Sequence, residues 1–167
     1  MERIHGFPPL ARRDARILVL GSMPSRETLT RQQYYAHPRN AFWPILTRVL
    51  DIEADHYAGK AQLAMERGVA IWDVYRDCIR PGSLDSAIDE KSAVVNVFRA
   101  FFTRHPDIER ILFNGAKAEA AFLRRVLPDL DGKAAAIPRR RLPSTSPAHA
   151  GMRFEDKLVA WQTALRA

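Results

Sequence analysis

The sequence predicts an α/β domain with a mainly parallel sheet, and three observations carry that expectation. Short apolar runs at residues 17–20 (ILVL), 69–72 (VAIW) and 108–113 (IERILF) read as strands buried on both faces, as inner parallel strands are. Segments of helical periodicity separate these runs, and no hairpin signal joins them, so the strands connect through crossovers. The 167 residues suit a single domain, 1–167, with length enough for a full core.

Taken in order, residues 1–15 are a mixed, Pro-rich lead-in with Phe7 and Leu10 set against the core. The first strand, 17–20, is ended by Gly21, and a polar and aromatic loop, GSMPSRETLTRQQYYAHPRN, follows it. Residues 41–50 are helical in pattern, with Pro44 tolerable in a first turn. A helix over 58–67 is stopped by Gly68. The strand 69–72 then runs to Asp73. Residues 74–88, around Pro81-Gly82, read as loop. An amphipathic helix is expected over 92–104, with Val94, Val95, Phe98 and Phe102 inward. After the third strand, Asn114-Gly115 turns into a helix over 116–127. A weaker fourth strand is expected at 134–137, then a loop, RRRLPSTSPAHAG, and a closing helix over 154–165.

Lys and Arg total 26 against 19 Asp and Glu, a net charge of +7, and most of the cations are arginines. Arginine's planar fork suits phosphate oxygens, so either a polyanionic partner or arginine-rich coding explains the excess. The single Cys78 excludes an internal disulfide and fits a reducing cytoplasm. No apolar run reaches the ~20 residues of a membrane span, and the first residues lack a signal-peptide core. The expectation is a cytoplasmic protein with no membrane association. The histidines show no metal-ligand spacing, so no metal is expected. Neither GxxxxGK[ST], GxGxxG nor GxSxG occurs, which argues against a nucleotide hydrolase and leaves no cofactor to expect.

Ligands of parallel sheets bind at the carboxyl ends of the strands. Those ends carry Gly21, Ser22 and Met23, then Asp73, Asn114, and the loop Ser144, Thr145, Ser146, Pro147, Ala148 and His149. In the first loop Tyr34 reads as core and Tyr35 as a face on which a base could stack. Phe42 and Trp43 read as anchors that keep the loop rigid. Asn40 either caps the following helix or holds a water against a sugar carbon. Asp73 either caps a turn or accepts a hydrogen bond from a base edge, and Asn114 reads as a turn residue. His149 is a surface residue or a backbone-phosphate contact. Arg139, Arg140 and Arg141 are a solvated charge run or, beside hydroxyl-rich Ser144 to Ser146, a phosphate grip.

The stretches GSMPS…YYAHPRNAFW, GVAIWDVYRDCIRPGSLDSAI and STSPAHA together resemble the uracil-DNA glycosylase superfamily, most of all its hypoxanthine-DNA glycosylase branch. The resemblance runs from Gly6 to about Phe154. It implies a three-layer α/β/α fold with a central four-stranded parallel sheet. It also implies a monofunctional enzyme, acting as a monomer on double-stranded DNA, that flips a deaminated base and hydrolyses its N-glycosidic bond. Mismatch-specific uracil glycosylases read GxNP in the first motif, with Asn placing the water; here that position is Met23. In the hypoxanthine branch the Asn of the HPxN corner is credited with catalysis, which implies Asn40. Tyr35 matches the aromatic that stacks on the flipped base, and Asp73 the strand-end residue that reads it. Ser144 falls where relatives have His or Asn. Ala148 stands where many have a Leu wedge, so extrusion would depend on neighbouring residues or favour weakly paired lesions. On this resemblance the N–H groups of Gly21 to Met23 stabilise the leaving base as an oxyanion hole does. The alternatives are a uracil or mismatch-specific glycosylase and a non-catalytic DNA-binding protein on the same scaffold. Binding to DNA would associate the protein with the nucleoid.

Overall fold

The apolar runs assemble side by side, as strands buried on both faces must. The computed structural model describes residues 2–167. In chain order the elements are β1 (Arg3–His5), β2 (Ile17–Gly21), α1 (Arg26–Arg31), α2 (Phe42–Val49), α3 (Tyr57–Glu66), β3 (Val69–Asp73), β4 (Tyr75–Ile79) and β5 (Asp89–Val95). Then come α4 (Phe98–Arg104), β6 (Arg110–Asn114), α5 (Ala116–Arg125), α6 (Gly132–Ala136), β7 (Arg139–Leu142) and α7 (Phe154–Arg166). Short 3₁₀ turns lie at Asp85–Ala87 and Leu127–Asp129. None of the described helices is long and apolar enough to cross a membrane.

The main sheet has four strands in the order β3-β2-β6-β7, all parallel. Alternation along each strand feeds two separate cores. Ile17 and Val19 of β2, with Val69 and Ile71 of β3, pack against α2, α3 and α7 through Phe42, Ile45, Leu46, Ala61 and Trp161. Leu18 and Leu20, with Ala70 and Trp72, pack on the other face against Phe98, Phe101 and Phe122 of α4 and α5. The molecule is therefore a three-layer α/β/α sandwich around a four-stranded parallel sheet, as the resemblance implies. Local chemistry sets the helix ends. α2 buries Phe42, Trp43, Ile45, Leu46 and Val49 at helical spacing, and α3 stops at Gly68, whose φ of +84° suits the left-handed residue that ends a helix.

Three expectations need correction. Residues 75–79 are not loop: β4 pairs antiparallel with β1 and with β5, making a second, three-stranded sheet. Its signal is masked because Asp77 is buried in β4, neutralised by Arg3 and Arg76, and because the β4–β5 register is broken by bulges. The expected helix over 92–104 is divided. Val94 and Val95 end β5, and only Phe98–Arg104 is helical. Between them Asn96 is held by strand ends, donating from Nδ2 to the Asp73 carbonyl at 2.7 Å and from its N–H to Val74. Residues 134–137 are not a strand: they fall in α6 and the residue that caps it, and the fourth strand is β7. An edge strand carrying three exposed arginines lacks the apolar run by which its neighbours are recognised.

Candidate active site

Where β2, β3 and β6 end, the chain leaves a cavity of about 380 Å³, within the range of small-ligand sites. Gly21, Ser22, Met23, Tyr35, Asn40, Asp73 and Asn114 all line it, as do Ser144, Thr145, Ser146, Ala148 and His149. Pro147 lies beside it, in a shallower depression shared with Asn40, Ser146 and His149. Residues from three strand ends and two distant loops thus meet in one place.

The first wall is the turn after β2. Gly21 is required there: a Cβ would sit 2.5 Å from Asp73 Oδ1 and 3.0 Å from the Tyr35 hydroxyl. Ser22 donates its hydroxyl to Asp85 Oδ1, and Met23 is buried in the core as well as bordering the cavity. The turn is fastened to the loop after β4. Buried Arg80 donates from Nη2 to the Pro24 carbonyl at 2.6 Å and from Nε to that of Gly82 at 2.9 Å, and Arg26 N–H donates to the Ser83 hydroxyl. Arg80, Ser83 and Asp85 were not among the sequence candidates. Their only signal is the polar SLDS stretch after Pro81-Gly82, ordinary for a surface loop.

The second wall is the aromatic corner. Tyr35 takes φ +56°, the left-handed region that bulky residues seldom occupy. It is held there by stacking on Phe42, centroids 3.9 Å apart, while Phe42 meets Trp43 and Trp161 edge-on. Tyr34 is core, as expected, and its carbonyl accepts from Trp43 Nε1 at 2.8 Å. The Tyr35 hydroxyl is buried without a hydrogen-bond partner. Burial, and then the Asp73 charge, push its pKa well above the usual tyrosine value, with the Asn114 amide offsetting part. Asn40 Oδ1 accepts from Phe42 N–H at 2.9 Å, bracing the start of α2 one residue before its N-cap position, Ala41, and Asn40 also lines the cavity.

The third wall is the late loop, and Thr145 ties it in. Asn114 donates from Nδ2 to the Thr145 hydroxyl and accepts from Thr145 N–H, both at 2.9 Å. The Thr145 carbonyl accepts from Ala41 N–H at 3.0 Å, bridging to the aromatic corner. Thr145 is 1 % exposed. Its contribution is to join the two loops rather than to offer a side chain to a partner, and Asn114 works as its latch. Lys157 of α7, buried and unanticipated, donates to the His149 carbonyl at 2.7 Å and anchors the loop's far end. Burial lowers its pKa.

The arginine run does not belong to this loop. As part of β7 its side chains alternate, so the three residues cannot present one patch. Arg139 donates to the Ala135 and Ile137 carbonyls and Arg141 faces Glu119 of α5 at 3.7 Å. Arg140 is left on the other face of the strand. Lys117, in the first turn of α5, also lines the cavity and is paired with Glu90.

Chemically the site is polar but holds its carboxyl dry. Asp73, 5 % exposed at the end of β3, has Oδ2 buried with no hydrogen-bond partner. Burial first, and then the Asp85 charge, raise its pKa to about 7, against a smaller opposing influence of Arg80.

Fold and cavity together define an α/β/α protein with a small-ligand site at the carboxyl edge of its sheet, walled by a rigid aromatic corner. The chain belongs to the Uracil DNA glycosylase superfamily, whose sequence pattern matches residues 8–165. It is 31 % identical over 115 residues to the hypoxanthine DNA glycosylase of Methanosarcina barkeri, covering 68 % of this chain and 72 % of that one. It is 34 % identical, with the same coverage, to the hypoxanthine DNA glycosylase of Methanosarcina acetivorans. A solution NMR structure of a candidate uracil DNA glycosylase from Methanosarcina acetivorans superposes with a TM-score of 0.81 at 27 % identity. That likeness covers 99 % of this chain and 98 % of the other.

Proposed function

We propose that the protein is a monofunctional DNA glycosylase of base excision repair that hydrolyses the N-glycosidic bond of deoxyinosine in duplex DNA, leaving an abasic site. The observation that carries this is the meeting of Asn40, Tyr35 and Asp73 on one cavity at the sheet's carboxyl edge. The relatives named for hypoxanthine add the substrate. A base inside the duplex cannot reach such a cavity, so the nucleotide must be flipped, most cheaply from a weak pair such as I·T. Tyr35 and the Gly21–Ser22–Met23 turn form the shape that receives it. Asn40, neutral and fixed by its bond to Phe42, orients a water toward C1′ with its remaining lone pair. Ala148 is too small to fill the gap left in the stack. Leu84, 57 % exposed and lining the same cavity, is the apolar side chain that stands in for it. Burial lowers the Lys117 pKa, but its ammonium is paired with Glu90, which supports attack by water rather than by this amine and hence a hydrolase without a strand-cleaving lyase step.

The test is a gel assay on duplexes carrying inosine or uracil. Hot alkali should break the strand at inosine, and omitting alkali should leave it whole. Breakage at uracil alone would shift the assignment to a uracil enzyme, the reading that the solution-structure neighbour favours. No breakage at either would leave a DNA-binding protein on a glycosylase scaffold.

A further inference from the structure

Two aspartates are buried at neighbouring places in the chain, and the fold treats them oppositely. Asp77, 5 % exposed, has Arg3 and Arg76 on its carboxylate. Burial alone would raise its pKa, but those two partners outweigh it and hold it below the usual range. Asp73, equally buried, has no cation within ion-pair distance among the described residues, and its Oδ2 has no partner at all. Arg80, the cation that faces it, spends Nε and Nη2 on backbone carbonyls. The other groups facing Asp73 are Asp85 from the 3₁₀ turn and the Tyr34 and Tyr35 hydroxyls from the aromatic corner. Lys117, on the α5 wall, is held by Glu90. A carboxylate left dry and unpaired is costly, so this surrounding favours the neutral acid. Gly21 has given up a side chain to let that carboxyl reach the cavity.

A neutral carboxyl donates a hydrogen bond where a carboxylate can only accept one. A purine offers N3 and N7 as acceptors, whereas uracil has no comparably basic ring nitrogen. Resting on the deoxyinosine reading above, we propose that Asp73 is the general acid of the reaction, passing its carboxyl proton to N7 or N3 of the flipped hypoxanthine. The C1′–N9 bond then breaks with its electron pair going to the base, which departs as neutral hypoxanthine. The oxygen of the Asn40-oriented water bonds to the oxocarbenium-like C1′. The proton that water loses returns to the Asp73 carboxylate directly or through solvent, so the cycle closes with one water consumed. Asp85, hydrogen-bonded to Ser22, is a positioning residue whose charge keeps the proton on Asp73.

The experiment is single-turnover cleavage of inosine, 7-deazainosine and 3-deazainosine duplexes between about pH 5 and 9, by the wild type, Asp73→Asn and Asp85→Asn. The wild-type rate on inosine should fall about tenfold per pH unit on an alkaline limb, and Asp73→Asn should be slower by about 100-fold or more and lack that limb. Asp85→Asn should move the limb to lower pH. One of the deaza bases should slow the wild type by a similar factor and identify the accepting nitrogen, while slowing Asp73→Asn no further. Binding of Asp73→Asn to a duplex with uncleavable 2′-fluoro-deoxyinosine shows that it remains folded. An alkaline limb that survives in Asp73→Asn, or full wild-type rates on both deaza bases, overturns the general acid while the glycosylase reading stands. A wild type that makes no abasic sites at inosine overturns both.

Discussion

Asn40 Oδ1 accepts from Phe42 N–H at 2.9 Å, so the side chain that faces the cavity also starts α2. The two roles separate by substitution. Asn40→Ala should cost about 1 kcal/mol through the lost cap. It should also lower inosine cleavage by about 100-fold or more through loss of water placement. Asn40→Ser restores an acceptor for the cap but cannot hold the water in the same place, so melting should recover and cleavage should not. Recovery of both would leave Asn40 a cap and nothing more. Asp73 makes a prediction in the absence of DNA. Its folded pKa of about 7 lies above the ordinary 3.8, so the folded protein holds this proton more tightly than the unfolded chain. Stability is therefore greatest below the ordinary value, declines as pH rises through that interval, and levels off above it. Asp73→Asn removes the dependence and should be the more stable protein at pH 8, by up to about 4 kcal/mol. Melting curves of the two proteins at pH 5 and pH 8 check this. Parallel pH dependence would mean that Asp73 carries its charge in the free fold.

At the scale of elements, the sequence showed the parallel sheet and hid the antiparallel one. β2 and β3 are legible because burial on both faces demands unbroken apolar runs. β4 and β5 are not: a buried Asp77 answered by arginines interrupts the pattern, and the connection between the strands is too long for a hairpin turn to announce them. The same contrast holds in the site. Tyr35, Asn40 and Asp73 could be named because they follow strand ends or sit in a dense motif. Arg80, Asp85 and Lys157 could not, since each matters through a partner distant in sequence. Thr145 shows why that matters for function. Its bonds to Asn114 and Ala41 join the late loop to both β6 and the aromatic corner. Asn114→Ala leaves the buried Thr145 N–H unanswered and should destabilise the protein by about 1–3 kcal/mol. The cavity wall loosens with it, so cleavage should fall more than duplex binding does. Equal losses in both would place Asn114 in the DNA contact rather than behind the loop. Leu84→Ala should slow cleavage most at stable pairs, where flipping is costliest, and least in single strands.

At the scale of the whole molecule, the net charge of +7 is spread over the surface, and position decides which cations meet DNA. On the proposed function the base enters from the carboxyl edge of the sheet, which would carry the phosphates on either side of it over the aromatic corner and the late loop. Arg39 is exposed beside Asn40, in the depression it shares with Pro147 and His149, and it has no ion pair among the described residues. Arg139 sits at the other end of β7, paired in register with Ile111 rather than Asn114, and its guanidinium is bound to two backbone carbonyls. Each phosphate contact contributes about 0.9 to the slope of log affinity against log salt on duplex DNA. Arg39→Ala should therefore flatten that slope by about one phosphate equivalent, whereas Arg139→Ala should leave it unchanged. Fluorescence anisotropy titrations of an undamaged duplex at several salt concentrations measure both. The reverse outcome, with Arg139 governing the slope and Arg39 silent, would put the DNA along the edge of β7 and away from the cavity, and a base flipped there could not reach Asn40.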